Sequence, residues 1–238
     1  MGRAYEVRKS SILKTGAEKA KLYSGFGKEI YMAAKGNPDP ESNQTLARLI
    51  EKAKGKQVPT DVIKRAIEKA KGGKGEDYHA MRYEGFGPNG ANLLIDCLSD
   101  NANRTISDVK NCFTKSKNRI GVKGSVSHLY TNTAVVIFDK QDEETVLDVL
   151  LEAGCDIIDI SNENSETVVY GAGNDLYKIK DAVASMSGDI KFSTTEQEQI
   201  PNDYVTLTKQ DDLDSFNKLI DMLKDLDDVQ TVYHNVEL

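Results

Sequence analysis

The stretch from Val135 to Ser193 most constrains the fold, because it alternates in an order that few architectures accept. Apolar runs at residues 135–138, 157–160, 167–170 and 190–193 read as strands. Residues 143–153 carry a helical period between the first two runs and are closed by Gly154. Residues 176–186 do the same between the last two and are closed by Gly188. Strand, helix, strand, strand, helix, strand is the split βαβ pattern of a ferredoxin-like sheet. Such a unit is complete in itself, so strands on either side of it need another partner.

Those flanking strands exist. Residues 93–98 and 125–130 read as strands, and between them residues 106–117 read as a helix with Ile106, Val109, Cys112 and Phe113 on one side. Thr105 and Asp108 have capping-box spacing at its start. Beyond Pro201 come a strand at residues 204–207, a long helix marked by Leu213, Phe216, Leu219, Ile220, Leu223 and Leu226, and a strand at residues 229–236. Each set looks like half of a sheet domain. The simplest arrangement is one domain interrupted by the ferredoxin-like unit, with joints near Thr131–Asn132 and Pro201–Asn202.

Upstream lie three amphipathic helices. The first covers residues 17–35, with Leu22, Phe26, Ile30 and Ala33 or Ala34 inward. Gly36-Asn37-Pro38 breaks it, and Asp39 as N-cap with Pro40 behind it opens a second helix striped by Leu46, Leu49, Ile50 and Ala53. Gly55 ends that one, and Val58-Pro59-Thr60 starts a third with Val62, Ile63, Ala66, Ile67 and Ala70 inward. The run from Lys71 to Asp77 is a flexible boundary. The expected class is therefore α+β: a three-helix domain over residues 1–76, a discontinuous α/β domain over 77–131 plus 202–238, and an inserted ferredoxin-like domain over 132–201.

Charge divides the chain in the same way. The net charge is −7, yet residues 1–74 hold 17 Lys and Arg against 8 Asp and Glu, and the other 164 residues hold 14 against 30. The basic end suits a polyanionic partner, DNA or RNA, the ribosome included. Arg3, Arg8, Lys9, Lys14, Lys19, Lys21 and Lys28 cluster there among Tyr5, Tyr23 and Tyr31. Lys14, Lys21, Lys28 and Lys35 recur every seven residues, on roughly one helix face. Arg104, Lys110, Lys115, Lys117, Arg119 and Lys123 form a second basic set within the acidic half. Lysine and arginine contact phosphates, while tyrosines stack on unpaired bases or simply fill the bundle core. No residue pattern identifies a recognition helix.

Reaction chemistry finds little footing. Gly85, Gly87 and Gly90 spell G-x-G-x-x-G, but a dinucleotide loop must follow a strand and open a helix. Here Pro88 interrupts the pattern and ANLLIDCL, which is strand-like, comes next; the glycines read as a hairpin turn. His79, His128 and His234 stand apart, and no H-E-x-x-H, G-x-S-x-G or Walker A occurs. Asn37, Asp39, Glu41 and Asn43 faintly resemble a calcium loop, with Ser42 where the glycine is needed. Catalytic residues, cofactor and metal are all expected to be absent. Cys97, Cys112 and Cys155 are odd in number and lack a C-x-x-C, which fits packed, reduced thiols in the cytoplasm. No apolar run approaches the ~18 residues of a membrane span, and no apolar segment follows the charged N-terminus.

Residues 82–90 (RYEGFGPNG), 100–105 (DNANRT), a helix, and then 124–130 (GSVSHLY) together resemble the YebC family of transcriptional regulatory proteins. A mitochondrial relative of that family is the translational activator of cytochrome c oxidase subunit I. Residues 38–73 resemble the family's helical domain. The resemblance implies an N-terminal helical domain followed by two α/β domains, one inserted in the other. Two departures touch basic segments. Gly2-Arg3-Ala4-Tyr5-Glu6 stands where many members have G-H-S-K-W, and Ser116-Lys117-Asn118-Arg119 replaces the usual glycine pair. The resulting expectation is a non-enzymatic cytoplasmic regulator that binds nucleic acid, with DNA and transcription first and a ribosome-associated, RNA-binding translation factor second. The rival from another class is an enzyme using the loop at residues 82–105 to hold a phosphate ligand.

Overall fold

A computed structural model describes residues 16–73, 77–186 and 189–237. Arg3, Tyr5, Arg8, Lys9 and Lys14 of the basic cluster lie outside the described residues, as does Gly188. The described chain is α+β.

Among the described residues three helices come first: α1 (Gly16–Ala34), α2 (Gln44–Gly55) and α3 (Thr60–Lys71). Phe26, Ile30 and Ala34 of α1 meet Leu46, Ala53, Ile63 and Ala66 in one apolar core, with Tyr31 also buried. The N-cap of α2 is Asn43 rather than Asp39. Its Oδ1 accepts from the Leu46 N–H at 3.0 Å, while its Nδ2 donates to the carbonyls of Ala33 at 2.8 Å and Asn37 at 2.7 Å. One amide thus starts α2 and ties down the end of α1. Asp39 instead turns the loop, its Oδ1 accepting from the Glu41 N–H at 3.1 Å.

Strands β1 (His79–Phe86) and β2 (Asn92–Ser99) form an antiparallel hairpin in which Tyr83 faces Ile95 and Gly85 faces Leu93. Strand β3 (Arg119–Ile120) adds to the β1 edge, and β9 (Val229–His234) adds to β2. The sheet therefore has the order β3-β1-β2-β9. Two short strands, β8 (Val205–Thr206) and β10 (Val236–Glu237), pair with each other in parallel. Helices α4 (Ala102–Lys115) and α7 (Gln210–Asp225) pack against the four-stranded sheet. Leu93, Ile95 and Cys97 meet Val109, Cys112, Phe113, Phe216, Leu219 and Leu223 in its core.

Two local expectations shift. Helix α4 begins at Ala102, capped by Asn101, whose Oδ1 accepts from the Arg104 N–H at 3.1 Å; the spacing of Thr105 and Asp108 is not used as a cap. The strand expected at residues 125–130 is a turn, and β4 (Tyr130–Asp139) begins only at Tyr130. The buried carboxylate of Glu84 explains it. It accepts the N–H groups of Gly124 at 2.7 Å, of Ser127 at 3.1 Å and of Val126, which leaves those donors unavailable to a strand ladder.

A second compact unit runs from His128 to Asp203. It consists of β4, α5 (Glu143–Glu152), β5 (Ile157–Glu163), β6 (Glu166–Ala172), α6 (Leu176–Met186) and β7 (Phe192–Pro201). Its sheet order is β5-β6-β4-β7 with every neighbour antiparallel, the arrangement of a ferredoxin-like unit. Ala134, Val136, Phe138 and Val169 face Val146, Leu150, Ile179 and Val183 in its core. Strands that pair in this unit come from both ends of the segment, so its ends are brought together and the surrounding sheet domain resumes at Tyr204.

Candidate nucleic-acid interface

The described members of the seven-residue lysine series, Lys21, Lys28 and Lys35, each meet protein partners. Lys21 Nζ donates to the carbonyl of Leu226 at 2.6 Å and to that of Lys224, at the C-terminal end of α7. A cation there answers the unsatisfied carbonyls and the negative end of the helix dipole. Burial lowers the pKa of Lys21, against the pull of Asp227 and Asp225. Lys28 Nζ reaches the carbonyls of Asp227 at 3.3 Å and Leu98 at 3.4 Å and the Asp228 carboxylate at 3.3 Å. Lys35 pairs with Asp77. This face of α1 is the seam between the helices and the sheet domain.

At the centre of the seam sits Asp228, only 9% exposed. It accepts from Ser99 Oγ at 2.9 Å, Thr105 Oγ1 at 2.9 Å, Arg104 Nη2 at 3.0 Å and Lys28. Arg104 also bonds Asp100 at 2.8 Å. Burial opposes the ionisation of Asp228, yet these donors outweigh it and its pKa lies below the usual carboxylate value. Arg104, counted with the second basic set from sequence, is therefore occupied in holding the structure together.

Other cations face solvent. Lys19 is exposed on α1, and Lys110 and Lys115 are exposed on α4. Lys117, in the left-handed region at φ +58°, and Arg119 and Lys123 continue that patch past the end of α4. The Arg119 guanidinium lies 5.1 Å from the centre of the Phe86 ring, which holds it in place without removing its charge. The turn beyond β3 is braced from beneath by Glu84.

A concavity of about 400 Å³ opens between α1 and α3, lined among others by Tyr23, Gly27, Tyr31, Arg65, Lys69 and Tyr78. Tyr31 and Tyr78 meet edge to face at 6.0 Å. Lys69 Nζ lies 5.5 Å from the Tyr31 ring centre, and Lys28 Nζ 5.6 Å from that of Tyr78. Arg65, Lys69 and Tyr78 stand outside the residues that the sequence singles out. Arg65 and Lys69 are one turn apart on the flank of the apolar stripe of α3, a signal that helical spacing carries. Tyr78 has no such signal, since it comes directly after the boundary segment.

The glycines of G-x-G-x-x-G are accounted for by packing. A Cβ on Gly85 would lie 2.2 Å from Cζ of Phe113, and one on Gly87 would lie 3.0 Å from the Ala91 Cβ. Gly90 has φ +84° in the turn closed by Gly87 N–H to Ala91 O at 2.8 Å. Cys97, Cys112 and Cys155 are buried free thiols, and burial pushes that of Cys97 up to about 12. Among the described residues, no helix is long and apolar enough to cross a membrane.

Comparison with known proteins covers both ends of the chain. The family description "TACO1/YebC protein N-terminal domain" matches residues 3–73, and "TACO1/YebC second and third domain" matches residues 78–236. A probable transcriptional regulatory protein of Alteromonas mediterranea is 48% identical over 236 residues, spanning 99% of this chain and 98% of its own. One of the same description from Marinobacter nauticus is 49% identical over 239 residues, spanning 100% and 99%. The crystal structure of a conserved hypothetical protein from Aquifex aeolicus is similar with a TM-score of 0.76 and 30% identity, covering 93% of this chain and 91% of that one. The chain belongs to the TACO1/YebC family, whose curated relatives are described as probable transcriptional regulatory proteins.

Proposed function

We propose that this protein is a non-enzymatic regulator of gene expression that acts in the cytoplasm by binding nucleic acid. The observation that carries the reading is the charge division: an excess of nine positive charges in residues 1–74 against an excess of sixteen negative charges in the remainder. Lys19, Lys110, Lys115, Lys117 and Arg119 supply solvent-facing phosphate contacts, together with Arg3, Arg8, Lys9 and Lys14 from the sequence. Lys21, Lys28 and Arg104 are better assigned to the domain seam, where their donors are already used. The names of the relatives support control of transcription, and hence DNA as the first target. RNA, alone or in the ribosome, is the second reading, favoured by the tyrosine-lined concavity, because unpaired bases that stack on aromatic rings are more available in RNA than in duplex DNA. Packing roles for Gly85, Gly87 and Gly90 weigh against a phosphate-loop enzyme.

Titration of duplex DNA, folded RNA and ribosomes against salt tests the reading. Affinity is expected to fall steeply with salt, by about one unit of log–log slope for each phosphate contact. Joint reversal of Lys110, Lys115, Lys117 and Arg119 to Glu is expected to flatten that slope and weaken binding to the true target. Binding indifferent to both salt and the reversals is the outcome that sinks the proposal.

A further inference from the structure

We infer that the concavity between α1 and α3 is a receptor for an unpaired nucleobase of a single-stranded nucleic acid, with Arg65 and Lys69 placed for the adjoining phosphates. The inference rests on the reading of the protein as a nucleic-acid binder and goes further by naming the ligand state and the residues that select it.

The walls are aromatic and the rim is cationic. Tyr31 is 4% exposed and belongs to the bundle core, so its ring is fixed by packing. Tyr78 meets it edge to face, and Tyr23 packs partly on the same core while remaining half-exposed at the cavity. The part-exposed rings of Tyr23 and Tyr78, backed by the buried Tyr31, are the surface on which a base stacks, an interaction tolerant of base identity. Arg65 and Lys69 are exposed one turn apart on α3, on the open side of the concavity. The Arg65 Nε bonds the Asp61 carbonyl at 3.1 Å, which orients the guanidinium along the helix. A volume of about 400 Å³ lies within the usual range for small-ligand sites. Aromatic grooves also take proline-rich peptides, but a cationic rim favours a polyanion.

Gly27 opens the space. A Cβ there would come no nearer than 3.9 Å to its neighbour, Val62 Cγ1, an ordinary contact. A larger side chain at this position would therefore start without a clash and extend into the concavity. That makes Gly27→Leu a plug that alters no charge.

The test compares a short single-stranded RNA carrying a fluorescent adenine analogue with the same strand annealed to its complement, at one salt concentration. Wild type is expected to bind the single strand more tightly by on the order of tenfold, with quenching of the analogue as it stacks. Gly27→Leu is expected to remove the margin and the quenching while the duplex still binds. Tyr23→Ala is expected to do the same and serves if Gly27→Leu melts early. Arg65→Glu with Lys69→Glu is expected to weaken the single strand further. A margin and quenching that survive both Gly27→Leu and Tyr23→Ala, with salt-dependent binding intact, overturn the base receptor alone. Absence of salt-dependent binding to either strand in wild type overturns the underlying reading as well. A proline-rich peptide that binds wild type but not Gly27→Leu, while that substitution leaves the RNA margin unchanged, assigns the groove to peptide and overturns the inference.

Discussion

Gly85 shows how much can hang on a missing side chain. The Phe113 ring occupies the space its Cβ would need, at 2.2 Å, and Phe113 is itself 1% exposed among Val109, Cys112 and the β2 side chains. Replacing Gly85 with Ala overpacks that core, and the expected loss is about 1–3 kcal/mol. Chemical denaturation compared with wild type checks it; a midpoint unchanged by the substitution would show that Phe113 can move aside. The three glycines are legible as a hairpin because a strand-like run, and no helix, comes after them. Their reason, a ring from α4 and the turn to Ala91, involves contacts that no local pattern records.

Among the elements, helices and strands with a strong apolar period are legible in the sequence, and their ends are less so. Asn43 illustrates the difference. Asp39-Pro40 is a sound helix start by local rules, yet Asn43 satisfies the Leu46 N–H and also the carbonyls of Ala33 and Asn37. A cap that also ties the preceding helix wins over Asp39, whose side-chain bonds, from Glu41 and Ser42, stay within the loop. Asn43→Ala is expected to cost about 1–2 kcal/mol, read as a lower melting temperature, whereas Asp39→Ala is expected to cost less. Equal losses at the two positions would contradict this assignment. Val126 and its neighbours have the local pattern of a strand, but a carboxylate forty residues earlier in the chain takes the N–H groups of this turn instead. Glu84 cannot be seen as that partner from sequence, since nothing in the residues around it points to a turn forty residues on.

For the molecule as a whole, the Asp228 network joins the helices to the sheet domain through Lys28 and holds α4 through Arg104 and Thr105. Burial raises the pKa of Asp228, and the bonds from Arg104, Ser99, Thr105 and Lys28 lower it further than burial raises it. The Glu84 carboxyl, likewise resisted by burial, is also held below its ordinary value by the N–H groups of Gly124, Val126 and Ser127. For groups whose folded pKa is depressed, the stabilisation is complete above the unfolded value, about 4 for carboxylates, and is lost as pH falls through the folded value. Thermal melts are therefore expected to weaken as pH drops below about 4. Asp228→Asn is expected to cost about 1.5–3 kcal/mol near neutrality and to make the acid loss shallower. An acid profile identical in the variant would remove Asp228 from its cause.

Residue order was enough to establish that this chain is α+β and that a basic helical stretch precedes an acidic run of strands and helices. Periodicity and charge count are local properties, and they survive without knowledge of contacts. The roles of the lysines were not of that kind. Lys14, Lys21, Lys28 and Lys35 share a spacing that suits a phosphate-binding face, but the described members of the set turn to carbonyls and carboxylates distant in the chain. Whether a cation meets water, a ligand or its own protein depends on what folding brings opposite it. The same long-range placement set Tyr78 beside Tyr31 and left Gly27 open between two helices, making a concavity from residues that no single stretch of sequence links.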